Sequence, residues 1–164
     1  MTDAMLVTDR TRPAVRLERH LIDPPEVVWR ALTDRAQLRS WFPCDVVVDG
    51  DWEVGAAITF PFDPAQIDLT LTGEVLEVAE PSVLSYTWGE SVLRFELEPD
   101  GDGTRLVLTD ELPGAWAARN AAGWEQCLDR LEGKEPTEWR RRFEHYSSEF
   151  EPTLGEQEGP PSAS

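Results

Sequence analysis

Proton-transfer chemistry needs an acid and a base within reach of one another, and four side chains in this sequence could take part: His20, Asp68, Tyr86 and Asp110. No two of them stand at a recognisable spacing. His20 sits alone in an alternating segment, with no second metal ligand or acid at a useful distance, and reads as a satisfied or exposed histidine. Asp68 and Asp110 are expected to be solvated. The two cysteines, Cys44 and Cys127, lie far apart and match no metal spacing, so buried thiols are the expected state. The sequence holds no P-loop, dinucleotide fingerprint, HExxH, CxxC or nucleophile elbow. It therefore predicts no catalytic residue, no metal and no cofactor.

Composition excludes further classes. The 164 residues suffice for one domain with a real core, and 40% hydrophobic content suits a globular protein. A formal net charge of −17 opposes binding to a phosphate backbone, so no nucleic acid partner is expected. No apolar run approaches the roughly 18 residues of a membrane span, which argues against integral membrane association. The opening MTDAMLVTDRTRP lacks the apolar core of a secretory signal, and the cysteines suit a reducing cytoplasm. Residues 1–13 read as a disordered leader and 151–164 as a disordered acidic tail.

The elements that would position any site follow from periodicity. Ala14 to Ile22 alternates as a strand, with Val15, Leu17, Arg19 and Leu21 on one side. Asp23, Pro24 and Glu26 form a box-like helix start, and Thr33-Asp34 breaks that helix and caps a second short one ending at Trp41-Phe42. Further strands are predicted over 44–48, 56–62, 67–78, VLSYTW, VLRFELE and TRLVLTD, joined mostly by turns such as Asp49-Gly50 and Asp100 to Gly103. Gly73, in the middle of the longest strand, marks a bulge or bend. About seven strands following one another in hairpins imply an antiparallel sheet. A long amphipathic helix is predicted over about 115–132, with Ala117, Ala121, Trp124, Leu128 and Leu131 on one face. A lone helix of that length needs a partner surface, and the strands supply one. Trp124 is expected to bridge helix and sheet. An extra helix over about 137–150 carries Trp139, Phe143, Tyr146 and Phe150 in a stripe that packs on the domain's outside or on another subunit.

The order strand, two short helices, six strands and long helix resembles the helix-grip fold of the START-like or SRPBCC superfamily, which includes the birch pollen allergen. RHLIDPPEVVWRALTDRAQLRSWF is similar to the family's opening, VGAAITF to its third strand, and LTGEVLEVAEPSVLSYTW to its G-x-V strand, turn and aromatic strand. DGDGTRLVLTDEL resembles its G-T-x-L hairpin and AAGWEQCLDRLEG its last helix. Together they look most like the branch of heat shock protein 90 ATPase activator homologues, over about residues 14–133 and, with the extra helix, to 150. Asp110 stands where relatives often have a histidine, and Gly55-Ala56 replaces a usual glycine pair.

The resemblance implies an α+β fold whose curved sheet wraps the long helix around a deep hydrophobic cavity. The implied function is binding of a hydrophobic small molecule. The cavity candidates are Trp41, Phe42, Phe60, Leu71, Tyr86, Trp88, Phe95, Leu108, Asn120, Trp124 and Cys127. Two alternatives remain open at this level: a cyclase or dehydratase of the same superfamily, and a regulatory or chaperone-linked interaction partner. Relatives that stimulate the chaperone carry a separate N-terminal chaperone-binding domain, and no stretch here is long enough to be one, so a chaperone partner is not supported. A monomer or homodimer is expected.

Overall fold

A computed structural model describes residues 4–159. Eight strands form one curved, unclosed antiparallel sheet: β1 (Met5–Val7), β2 (Ala14–Leu21), β3 (Val47–Val48), β4 (Ala57–Pro61), β5 (Thr70–Ala79), β6 (Val83–Trp88), β7 (Ser91–Asp100) and β8 (Gly103–Glu111). Their spatial order is β1-β2-β8-β7-β6-β5-β4-β3. Helices α1 (Pro25–Thr33) and α2 (Arg35–Leu38) carry the chain from β2 across to the far edge. After β8 comes one 3₁₀ turn (Gly114–Trp116), then α3 (Ala117–Leu131) and α4 (Trp139–Leu154).

Alternation decides which side of each strand is dry. Val15, Leu17, Leu84, Tyr86, Leu93, Phe95, Leu106 and Leu108 are all buried, as strands with one face on a core require. Cross-strand register sets Val75, Tyr86, Leu93, Asp110 and Val15 in one row across the sheet. Helix α3 packs over this face and touches β2. Its buried stripe of Ala117, Ala121, Trp124 and Leu128 follows the predicted period.

The structure corrects several boundaries. Met5–Val7, inside the leader expected to be disordered, is a strand paired with β2, which makes eight strands rather than seven. Pro24, not Asp23, caps α1, and no side chain bonds to its amides. Asp23 instead turns its carbonyl to accept from Thr104 Oγ1 at 2.7 Å. Asp34 does cap α2, accepting from the Ala36 amide at 3.1 Å. The strand expected over 44–48 shrinks to Val47–Val48, since Cys44 and Val46 bury themselves in the core without pairing regularly. Helix α4 runs to Leu154, past the expected end at 150. Beyond it the chain is tied back to α3 and the 3₁₀ turn before it: Gln157 accepts from the Ala118 amide and Glu158 from Trp116 Nε1, each at 2.9 Å. The expectation of disorder for residues 1–3 and 160–164 lies outside the described residues.

Helix α4 packs on α3 of its own chain, with Tyr146 and Phe150 buried. The anchor is polar. Glu125 of α3, fully buried, accepts from Arg142 Nη2 at 2.6 Å and from the Tyr146 hydroxyl. The Tyr146 oxygen in turn accepts from the Ala4 amide at 2.8 Å, so one cluster joins α3, α4 and the N-terminal segment. Tyr146 and Phe150 of the stripe are thus covered by their own domain, while Trp139 and Phe143 stay partly exposed.

Gly73 explains how the sheet bends. A Cβ there would stand 1.9 Å from the Thr87 carbonyl oxygen and 3.0 Å from Phe60 Cε2. Only a residue with no side chain lets β5 come this close to β6. The register shift itself falls just beyond, between Val75 and Glu77, where Leu76 is pushed outward to 41% exposure. Gly73→Ala is expected to cost more than about 2 kcal/mol in chemical denaturation, because backbone must move. A loss under about 0.5 kcal/mol would contradict this reading of the bend.

Candidate functional site

The space between α3 and the sheet is where the residues expected to line a cavity converge, and most of it is filled. Trp41, Phe42, Phe60, Tyr86, Phe95 and Trp124 are buried and meet edge-on, stacked or tilted, with ring centroids 5.4 Å apart for Trp41–Phe42 and 5.5 Å for Phe42–Trp124. Phe60–Tyr86 and Tyr86–Phe95 continue the array at 5.9 and 6.1 Å. Each such pair adds about 0.5–1.5 kcal/mol beyond its buried area. Leu108, fully buried, belongs to the same core.

What remains open is a cleft of about 610 Å³ along the outer flank of α3. Leu71, Trp88, Asn120 and Cys127 line it; Phe60, Tyr86, Phe95, Leu108 and Trp124 do not. Trp41 borders a separate hollow of about 440 Å³ near His20 and Lys134, and Phe42 a third hollow beside Cys44. The cleft is completed by residues that sequence reasoning does not single out for it. Phe62, Ile67 and Leu69 come from the connection between β4 and β5, and Trp139 from the start of α4. Helix α3 contributes Arg119, Gly123, Gln126 and Arg130, spaced i, i+4, i+7 and i+11 along one face. That period is visible in the sequence, but the stripe mixes charge, amide and glycine and does not announce itself as hydrophobic patterning does. A Cβ on Gly123 would find nothing within 4 Å, so the helix backbone itself forms part of the wall.

Asp110 overturns the expectation of a solvated carboxylate. It is 0% exposed. Its Oδ2 accepts from Trp124 Nε1 at 2.9 Å and from Asn120 Nδ2 at 3.1 Å. Its Oδ1 meets no hydrogen-bond partner among the described residues. Burial pushes this carboxyl up to about 6; the Trp124 and Asn120 donors, the Ser91 hydroxyl short of a well-formed bond, and the Arg12 charge pull the other way and lose. Trp124 thus does bridge helix and sheet, through its N–H as well as its ring.

The four acid–base candidates stay apart. Tyr86 and Asp110 share a row with Leu93 between them, which puts two strand spacings, about 9–10 Å, between their backbones. Burial raises the Tyr86 phenol well above its ordinary value. His20 is exposed beside Asp100, its Nδ1 2.7 Å from Oδ2, and Asp68 is exposed. Burial likewise pushes the Cys44 and Cys127 thiols up to about 12, so neither is a thiolate near neutral pH. Among the described residues, no group of three or more His, Cys, Asp or Glu is placed to hold a metal ion, and no helix is long and apolar enough to cross a membrane.

A curved antiparallel sheet gripping one long helix, with aromatic rings between them, defines a helix-grip protein of the START-like class. Residues 23–133 match the model of the family described as Activator of Hsp90 ATPase homolog 1-like protein, and the chain belongs to that family. A conserved protein of unknown function from Enterococcus faecalis is similar at 23% identity and a TM-score of 0.75, with 89% of each chain covered. A Mesorhizobium loti protein is 30% identical, with a TM-score of 0.64 over 73% of this chain and 94% of its own. DynU16, a protein in the dynemicin biosynthetic locus, is 24% identical with a TM-score of 0.62, over 76% of this chain and 49% of its own. No curated protein matches.

The Asp110 carboxyl carries a pH signature. Unfolded, it titrates near its ordinary 3.8; folded, at about 6. The folded state therefore binds the proton more tightly. The group's contribution is complete below about pH 4 and is lost as pH rises through about 6. Asp45, held at about 2 by the Arg35 guanidinium, stays ionised throughout that window. The melting temperature of the wild type relative to Asp110→Asn should fall steadily from about pH 4 to about pH 7. A pH-independent difference between the two proteins would refute the assignment.

Proposed function

We propose that this protein binds an apolar small molecule in the cleft between α3 and the β5–β6 flank of the sheet. One observation carries the reading: about 610 Å³ of mainly apolar space walled by Phe62, Ile67, Leu69, Leu71, Trp88 and Trp139, with the polar groups gathered largely on the α3 side. Its size and character are those of small-molecule sites. Asn120 is already committed to Asp110, and Gln126 donates to the Thr137 carbonyl at 2.7 Å. Both are thus held in place before any ligand arrives, which lowers the ordering cost of binding. The same fold in a protein of a biosynthetic locus agrees with work on small molecules. The inner space is occupied by the aromatic array, so the ligand lies outside Trp124, against the helix at Gly123.

The test uses a neutral fluorescent probe, N-phenyl-1-naphthylamine. Saturable enhancement is expected with the wild type. A ligand held at about 100 times its Kd should also raise stability by about 2.7 kcal/mol through linkage. Gly123→Leu places a side chain in the open space and favours the helix by up to about 1 kcal/mol. It should abolish probe binding while the melting temperature holds or rises. Undiminished binding to the leucine variant, or none to the wild type, would defeat the proposal.

A further inference from the structure

Helix α3 sorts its charges by face. Its acids point inward and are consumed by the fold: Glu125 pairs with Arg142, and Asp129 with Arg19 Nη1 at 2.9 Å. Its bases, Arg119 and Arg130, point into the cleft. This is unexpected on a chain of net charge −17, where a random surface is acidic. The only acid among the described lining residues is Glu90, on the exposed β6–β7 turn. The cleft is therefore an apolar groove with a cationic helix wall, set in an anionic surface.

The two arginines are not equivalent. The Arg119 guanidinium lies 4.5 Å from the centroid of the Trp116 ring and donates to the Gly159 carbonyl at 3.2 Å, with Glu158 nearby. Arg130, eleven residues and about 16 Å further along the axis, is exposed and has no salt-bridge partner among the described residues. The Cys127 thiol, neutral near pH 7, lies one turn back on the same helix. Between the two, Gly123 leaves the helix surface bare.

Resting on the reading of the cleft as a ligand site, we infer that its ligand is an elongated amphipathic organic anion. The apolar body lies across Gly123 against Leu71 and Trp88, and the negative group pairs with Arg130 at the C-terminal end of α3. Charge complementarity selects this class. A cationic amphiphile would meet Arg119 and Arg130 along the helix wall, with Glu90 alone to favour it. A wholly neutral ligand would leave Arg130 with nothing to discriminate. Other exposed arginines, such as Arg140 and Arg141, lie outside the cleft lining, so Arg119 and Arg130 are the cations that meet its apolar wall.

The probes are decanoate and methyl decanoate, below micellar concentrations, displacing N-phenyl-1-naphthylamine at pH 7.5 and low salt. Decanoate should bind at least about five-fold more tightly than the ester. Arg130→Gln keeps the stem and removes the charge; it should bring decanoate down to the ester's affinity and leave the ester within about two-fold of its wild-type value. Raising the salt to about 0.5 M should erase most of the preference. Equal affinity for acid and ester, or a preference that survives in Arg130→Gln, overturns the inference while the cleft remains a ligand site. Failure of the neutral probe itself to bind removes both.

Discussion

The seating of α3 depends on carboxylates withdrawn from water. Asp110 reaches up from β8 to Trp124 and Asn120, Glu125 reaches across to Arg142 and Tyr146, and Asp129 reaches down to Arg19 on β2. Each costs several kcal/mol to desolvate, offset only if its partners are in place, and removing one partner typically costs about 3–5 kcal/mol. Such groups do not tolerate sliding. A shift of α3 by one residue would strand all of them at once. The helix is therefore fixed in rotation and in register against the sheet on one side and α4 on the other. The cleft wall formed by its remaining face is fixed with it.

The second constraint is volume. Six large aromatic rings lie between sheet and helix, and with Leu108 they close the space that a helix-grip fold can leave hollow. Trp88 stands at the boundary, touching Phe42 and Trp124 on its inner side and lining the cleft on its outer side. The open space thus lies on the flank, where the β4–β5 connection and the first turn of α4 supply the far wall. Anchoring and filling work together: the carboxylates hold α3 close enough for the rings to touch, and the rings exclude the water that would weaken the carboxylate contacts.

Much of the fold is legible in the sequence, for definite reasons. Period-two strands with turn dipeptides, and a period of three to four in Ala117 to Leu128, need no tertiary knowledge to read. Gly73 is readable as a bend because a glycine inside a regular strand weakens it unless the backbone must turn or pack closely there. Asp110 defeats such reading, although its alternation with Leu106 and Leu108 places it on the inner face. Its charge argues for solvent, and the donors that make burial tolerable lie ten and fourteen residues away on a helix. Arg19 sits on the predicted inner face in the same way, and its partner is 110 residues distant. Strand β1 has only three residues and no pattern of its own; it forms because β2 offers an edge and Tyr146 accepts the Ala4 amide. The cleft escapes because its wall is assembled from separate elements, each giving a few residues that look ordinary alone.

The most direct test of ligand binding on the flank follows the tryptophan indole N–H signals by NMR while the neutral probe is titrated in. The chain reports on itself: Trp88, Trp116 and Trp139 line the cleft, whereas Trp41 and Trp124 are buried in the aromatic array. A ligand held on the flank should shift the first three and leave Trp41 and Trp124 in place, with the Trp124 N–H still bonded to Asp110. Large shifts of Trp41 and Trp124, showing entry between helix and sheet, would contradict the claim that the rings close the interior and the flank takes the ligand.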